Sequence, residues 1–146
     1  MTVQLGISPC PRLDAVVTLL ASAGLPIEDL TSAHCEHFFF AGPSDAPTGL
    51  VGLELLGDVA LLRSLVVSPD RRGSGDGTAL LRHAEDRARA SGARSLYLLT
   101  TTAESFFVSR GYQRTPRESA PAAIRATREF ADICPASSVF MIRELK

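Results

Sequence analysis

The chain has no tryptophan and only three cysteines in 146 residues. Cys10, Cys35 and Cys134 stand far apart and make no Cys-x-x-Cys pair. That spacing speaks against a disulfide scaffold and a zinc ribbon and suits a reducing compartment, so a cytoplasmic location is expected. Long apolar runs are missing too; none approaches the roughly 18 residues of a membrane span. The first residues show no basic stretch followed by an apolar one, so no secretory leader is expected. Nor is there an excess of charge of one sign. Fifteen Lys and Arg face 16 Asp and Glu, for a net charge of −1. No global basic field is left to attract nucleic acid or a membrane surface. Without repeats, low-complexity tracts or a linker, the chain suits one domain over 1–146 with a real core.

What the chain does have is glycine concentrated in one place. In the stretch 61–91, LLRSLVVSPDRRGSGDGTALLRHAEDRARAS, an apolar run leads into Gly73, Gly75 and Gly77, and a helical pattern follows. A strand that feeds a glycine-rich turn into a helix is a ready phosphate site. The first helical amides lack intrahelical partners, and the helix dipole favours an anion there. Glycine lets the backbone approach closely and take positive φ. Arg72, Gly73, Ser74, Gly75, Asp76 and Gly77 are the expected anion cradle.

Around this stretch the periodicities give the order β-α-α-β-β-β-α-β-α-β-α-β. Residues 2–7 suit a strand and Ser8-Pro9-Cys10-Pro11 a turn. Leu13, Val16, Val17 and Leu20 recur at helical spacing, with Gly24 placed to end the helix. A second short helix is expected from Leu25-Pro26. Phe38-Phe39-Phe40 reads as strand and AGPSDAPTG as a hairpin loop. Residues 50–56 and 59–67 form strands joined by the Gly57-Asp58 turn. Leu80, Leu81, Ala84 and Ala88 make the apolar stripe of a helix that Gly92 ends. Residues 96–100 give a buried strand, parallel to the one before the cradle if the crossover is right-handed. A short helix over 103–109, a strand over 112–115, a helix from an N-cap at Ser119 to about Cys134, and a strand over 138–145 complete the chain.

With the cradle, the crossover and the Phe107-x-x-x-Gly111-Tyr112 turn together, the chain resembles the GNAT (GCN5-related) N-acetyltransferases across nearly its whole length. The family's acetyl-CoA signature, Arg/Gln-x-x-Gly-x-Gly/Ala, is met by Arg72, Gly75 and Gly77. The resemblance implies an α/β (α+β) fold with a mixed, mostly antiparallel central sheet flanked by helices and a parallel β-α-β crossover at the acetyl-CoA site. It implies acetyl-CoA as co-substrate, no metal, a small-molecule amine as acceptor and, by analogy alone, a homodimer. A narrower resemblance, carried by LLRSLVV, LYLLTTTAESFF, APAAIRATREFADICPASS and MIREL, is to the GNAT subfamily associated with arsenic-resistance operons. It implies an amino-acid-like organoarsenical acceptor.

Residue by residue, the resemblance assigns the CoA pyrophosphate to the amides of Arg72, Gly73, Ser74, Gly75, Asp76, Gly77 and Thr78. The pantetheine arm falls to the backbone of Leu65, Val66 and Val67, which the splayed parallel strand leaves without partners. Two departures stand out. Asp76 occupies a position that is usually aliphatic, and its charge would repel pyrophosphate unless the side chain turns away or caps the helix. Phe107 stands where the family often has the tyrosine that protonates the departing thiolate. Water or the hydroxyl of Thr101 or Thr102 is the substitute. Thr100 stands where asparagine is frequent and keeps a hydroxyl for polar contact.

Acetyl transfer needs a neutral amine, a route for its proton, and an amide donor near Val66 or Val67 for the oxyanion. The turn at Gly57-Asp58 sets the hairpin register, so Glu54 faces Leu61 and Gly52 faces Arg63. Glu54 and Arg63 become diagonal neighbours on one face. Two readings stay open: Glu54 as base or water-holder with Arg63 receiving an acidic acceptor, or an ordinary cross-strand ion pair. Arg117, Arg125 and Arg128 are a second candidate anion site, Arg125 and Arg128 sharing a helix face. A solvated face with Glu129 is the plainer reading. His34, Cys35 and His37 lack further ligands, so no metal site is expected. Two other functions compete with catalysis. An acyl-CoA-binding sensor or partner would suit Asp76 and Phe107, and a thiol-based arsenical binder rests on the cysteines alone.

Overall fold

A computed structural model describes residues 6–9, 11–24, 27, 37–43, 46–127, 130 and 138–145. Its strands are β1 (Ile7–Pro9), β2 (Phe38–Ala41), β3 (Gly49–Leu56), β4 (Val59–Val67), β5 (Ser95–Thr100), β6 (Gln113–Arg114) and β7 (Val139–Glu144). Its helices are α1 (Leu13–Ser22), α2 (Asp76–Ala90), α3 (Glu104–Val108) and α4 (Ala122–Arg125). The strands form one sheet in the order β1-β2-β3-β4-β5-β7-β6. Every pairing is antiparallel except that of β4 with β5, which α2 joins as a crossover.

Alternation along the strands sorts the core onto two faces. Val51, Leu53, Ala60, Leu62, Leu96 and Leu98 pack under the α2 stripe of Leu80, Leu81, Ala84 and Ala88. Burying one such leucine contributes about 1.5–3 kcal/mol. On the other face Phe38, Phe40, Leu50 and Val66 meet Val16 and Leu20 of α1. Further along that face, Leu61, Tyr97 and Phe140 meet Ala120 and Ile124. Gly52 owes its place in β3 to this packing, because a Cβ there would lie 2.6 Å from the Phe38 ring.

The hairpin register follows its two-residue turn: Leu56 pairs with Val59, Glu54 with Leu61 and Gly52 with Arg63. Beyond Arg63 the pairing slips. Leu50 pairs with Val66, so β4 uses one more residue than β3 across this interval. Ser64 takes up the slack at φ 60°, in the left-handed region. This is a β-bulge, held in a conformation that costs a non-glycine residue energy. On its other edge, β4 pairs with β5 only at Val59, Ala60 and Leu61. Past Leu61 the two parallel strands part.

Three expectations need correction. Ser8 and Pro9 continue β1 instead of turning, which an edge strand permits because one side needs no N–H donor. Ser119 does not cap the helix after it. Its hydroxyl donates to the Pro116 carbonyl at 2.7 Å, and α4 starts at Ala122 behind Pro121. The strand expected over 112–115 shortens to β6, because the Tyr112 N–H donates back to the Phe107 carbonyl at 3.1 Å. Residues 2–5 of the strand expected over 2–7, and the helix expected from Leu25-Pro26 apart from Ile27, lie outside the described residues.

Candidate active site

The parting of β4 and β5 opens a cavity of about 1030 Å³. The bulged half of β4 forms one wall, the end of β5 and α3 the other, and the glycine turn closes one end. Leu65, Val66, Val67, Arg72, Gly73, Gly75, Gly77, Thr78, Thr100, Thr101, Thr102, Phe107 and Arg63 all line it. Ser74, Asp76, Glu54, Arg117 and Arg125 do not, and Arg128 lies outside the described residues.

At the glycine turn, Gly73 and Gly75 hold φ of 81° and 89°. Gly75 is the N-cap of α2, and no side chain caps the helix. Its first amides therefore remain available to an anion. Asp76 opens α2 but turns away from the cavity and is 5% exposed. Arg71 donates to its two oxygens from Nε at 2.9 Å and Nη2 at 3.1 Å. The Arg71 hydrogen bond holds the Asp76 carboxyl below its usual range, against the opposing effect of burial. The charge that would repel pyrophosphate is thus paired and set aside.

The other end is built from β4, β5 and the chain entering β7. The Arg63 side chain is fully buried, 3.4 Å from Glu54, and its Nε donates to the Ser64 hydroxyl at 3.3 Å. Arg63 stands in the cavity wall with its side chain buried behind it, and Glu54 does not line the cavity. Thr101 and Thr102 are exposed at the rim. Thr100 accepts the Ala103 N–H at 3.0 Å and so ties the end of β5 to α3. Phe107 is buried against Phe106 and Tyr112. The Tyr112 hydroxyl donates away from the cavity to Glu85 at 2.8 Å, and burial with the Glu85 charge pushes its pKa far up.

The arginines expected near the last helix serve the backbone. Arg117 donates to the Ser138 carbonyl at 3.0 Å and lies over the Phe130 ring. Arg125 donates to the Ala120 carbonyl at 3.1 Å and to that of Glu118. Among the described residues no three His, Cys, Asp or Glu side chains gather as metal ligands. Cys10, Cys35, Cys134 and His34 fall outside those residues.

Residues 11–114 match the model of the Acetyltransferase (GNAT) family. The chain belongs to the GNAT acetyltransferase family. This GNAT chain is 43% identical over 63 residues to the amino-acid acetyltransferase of Ralstonia nicotianae, covering 43% of the chain and 14% of that relative. It is 44% identical over 66 residues to the Azotobacter vinelandii amino-acid acetyltransferase, covering 45% and 15%. The match thus spans a small part of these curated relatives' length. In fold it is similar to N-acetylglutamate synthase from Neisseria gonorrhoeae, solved with coenzyme A and N-acetyl-glutamate. There the TM-score is 0.84 at 22% identity, over 100% of this chain and 36% of that one. Rv2747 from Mycobacterium tuberculosis, solved with CoA and NLQ, gives 0.78 at 18% identity over 97% and 99%. These likenesses show the fold.

Several lining groups of the GNAT cavity escape sequence reasoning. Arg71, Arg110, Phe106, Ser64 and Ser138 all reach it. The Ser138 hydroxyl is buried and has no hydrogen-bond partner among the described residues. A serine interrupting the apolar run of β4 was the one available hint of the bulge. Among the described lining residues the charged side chains are Arg63, Arg71, Arg72 and Arg110, with no carboxylate.

Proposed function

We propose that this GNAT chain is an acetyl-CoA-dependent N-acetyltransferase acting on the amine of a small, amino-acid-like molecule. One observation carries the reading. The bulge in β4 and its parting from β5 leave Leu65, Val66 and Val67 without a strand partner on the edge toward β5, beside a cavity that ends on the glycine turn. The amides of an extended pantetheine arm suit such an edge as an added strand would. The amides over 72–78 suit the pyrophosphate.

When bound, acetyl-CoA supplies an activated acyl carbon beside the bulge. The acceptor nitrogen bonds to that carbon, the carbon–sulfur bond breaks, the nitrogen loses a proton and the thiolate gains one. An N–H at Val66 or Val67 would stabilise the oxyanion. Thr101 or Thr102 would return the proton to sulfur, in the place of the tyrosine that Phe107 replaces. Glu54, behind Arg63, is the carboxylate toward which water would carry the amine's proton. Arg63 and Ser138 would receive a carboxylate of the acceptor.

The amino-acid acetyltransferases among the relatives support an amino-acid acceptor. The resemblance to the arsenic-operon subfamily narrows this to an amino-acid-like organoarsenical. On the same reading the protein works in the cytoplasm without nucleic acid, metal or membrane, as a dimer through its last strands. A lining without carboxylate or tyrosine among the described residues favours a second reading, an acyl-CoA-binding sensor or partner with little catalysis.

Thermal shift with acetyl-CoA, followed by thiol release across the common L-amino acids and their phosphinate and arsinate analogues, separates the two. Stabilisation with thiol release supports the enzyme. Stabilisation without release across the panel supports the sensor, and no stabilisation removes both.

A further inference from the structure

Arg110 lies at the glycine end of the cavity, contributed by the turn after α3. Its guanidinium is fixed from three sides. It stacks on the Phe106 ring at 3.7 Å. Its Nε donates to the Thr78 hydroxyl at 2.8 Å, which ties it to the first turn of α2. Its Nη1 donates to the Phe106 carbonyl at 2.8 Å and to the Ser109 hydroxyl at 2.7 Å. Among the described residues Nη2 has no partner, and no carboxylate lies within ion-pair distance.

Arg71 makes the contrast. It reaches the same cavity, but its Nε and Nη2 are spent on Asp76. A surface arginine ordinarily loses rotamer freedom when it binds an anion. Here stacking and three hydrogen bonds have already removed that freedom, so little is lost on binding.

We propose that Arg110 is a phosphate clamp for the co-substrate. Its free Nη2 edge would bond a pyrophosphate oxygen held at the same time by the α2 amides, and this contact would tie α3 to the glycine turn through the ligand. The inference rests on the acetyl-CoA reading above and commits to the pyrophosphate rather than the 3′-phosphate, because Thr78 fixes the guanidinium to the first turn of α2.

Calorimetric titration of the wild type and Arg110→Ala with acetyl-CoA and acetyl-dephospho-CoA, each at several salt concentrations, tests it. The expected result is an affinity loss of about ten- to a hundredfold for both ligands, with a shallower dependence of Kd on salt in the variant. Arg110→Lys is expected to recover part of the affinity. A loss with acetyl-CoA but not with the dephospho ligand would move the contact to the 3′-phosphate and overturn the assignment. An equal loss with unchanged salt dependence, or no loss, would make Arg110 a brace between α2 and α3 only. If the wild type binds neither ligand, the acetyl-CoA reading itself falls, and the clamp with it.

Discussion

The glycine end of the cavity and its chemical end are built in opposite ways. At the first, most groups that meet the cavity come from one short run, from Arg71 to Thr78. The backbone does the work there, through two left-handed glycines and an uncapped helix start. At the second, Arg63, Thr101, Phe107 and Ser138 come from separate elements and meet only because the sheet brings them together. Side chains and a bulge do the work there. The first end is a local motif and the second is a product of topology. Each should therefore fail to a different kind of change.

The largest effect is expected from Gly73→Val with Gly75→Val. Each valine would sit in the left-handed region at a cost of about 1–3 kcal/mol, so acetyl-CoA affinity should fall by on the order of a hundredfold while the fold persists. Calorimetry on the folded variant reads this, and an unchanged Kd would remove the phosphate role of the turn. A change distant from both ends provides the control. Glu85 is buried on α2 against Arg82 at 2.8 Å and Arg143 at 2.7 Å, with the Tyr112 hydroxyl at 2.8 Å. Glu85→Ala should cost about 3 kcal/mol of stability, seen as a lower denaturant midpoint, without favouring loss of one ligand over the other. At the chemical end, Arg63→Gln should lower kcat/KM for an amino-acid acceptor by about ten- to a hundredfold through KM. The KM for acetyl-CoA should stay within about twofold. If the acetyl-CoA KM moves instead, the two ends are not separate.

A smaller effect tests how the turn handles its own charge. Asp76→Ile would remove repulsion if the carboxylate faced the ligand. Because it is paired with Arg71 and does not line the cavity, there is no repulsion to remove. Asp76→Ile combined with Arg71→Gln removes the carboxylate without releasing the guanidinium. This double variant should bind acetyl-CoA no more tightly than the wild type, and a marked tightening would contradict the geometry. The smallest effect sets the pH baseline on which the others are read. Burial, then the Arg87 charge, lowers the His83 pKa. The unfolded chain therefore takes up this proton first as pH falls. Stability from His83 is complete above the ordinary value near 6.5 and declines below it through the depressed folded value. Glu85 has the same sign on the acid side: burial pushes it up, but its Arg82, Arg143 and Tyr112 contacts outweigh this and hold it below its usual range. His83→Gln should flatten the upper window in a melting series and leave the acid one.

Legibility in sequence followed the same division. The hairpin register, the α2 stripe and the glycine turn were readable because two-residue turns, helical spacing and glycine act over a few residues. The Arg63–Glu54 pair was readable for that reason too, since the register alone brings the two side chains together. Arg110 was not, because its significance depends on Thr78 and Phe106 arriving on different helices. The fate of Asp76 was left between two options, since its partner Arg71 meets it only once the intervening turn has its shape. Pro9 misled because an edge position, which excuses a proline, is a property of the whole sheet.

Ser64 has a consequence for how β4 can change. Before it, Leu61 faces the α4 side while Ala60 and Leu62 face α2. After it, Val66 faces α1 while Leu65 and Val67 face α2. Odd and even have exchanged sides, so the strand obeys a rule of parity. Ser64 is the one residue outside the alternation. With it deleted, Arg63, Leu65, Val66 and Val67 would alternate regularly opposite β3 and keep their faces, but the bulge would be lost. The cavity depends on the count of residues in this strand as much as on their kind.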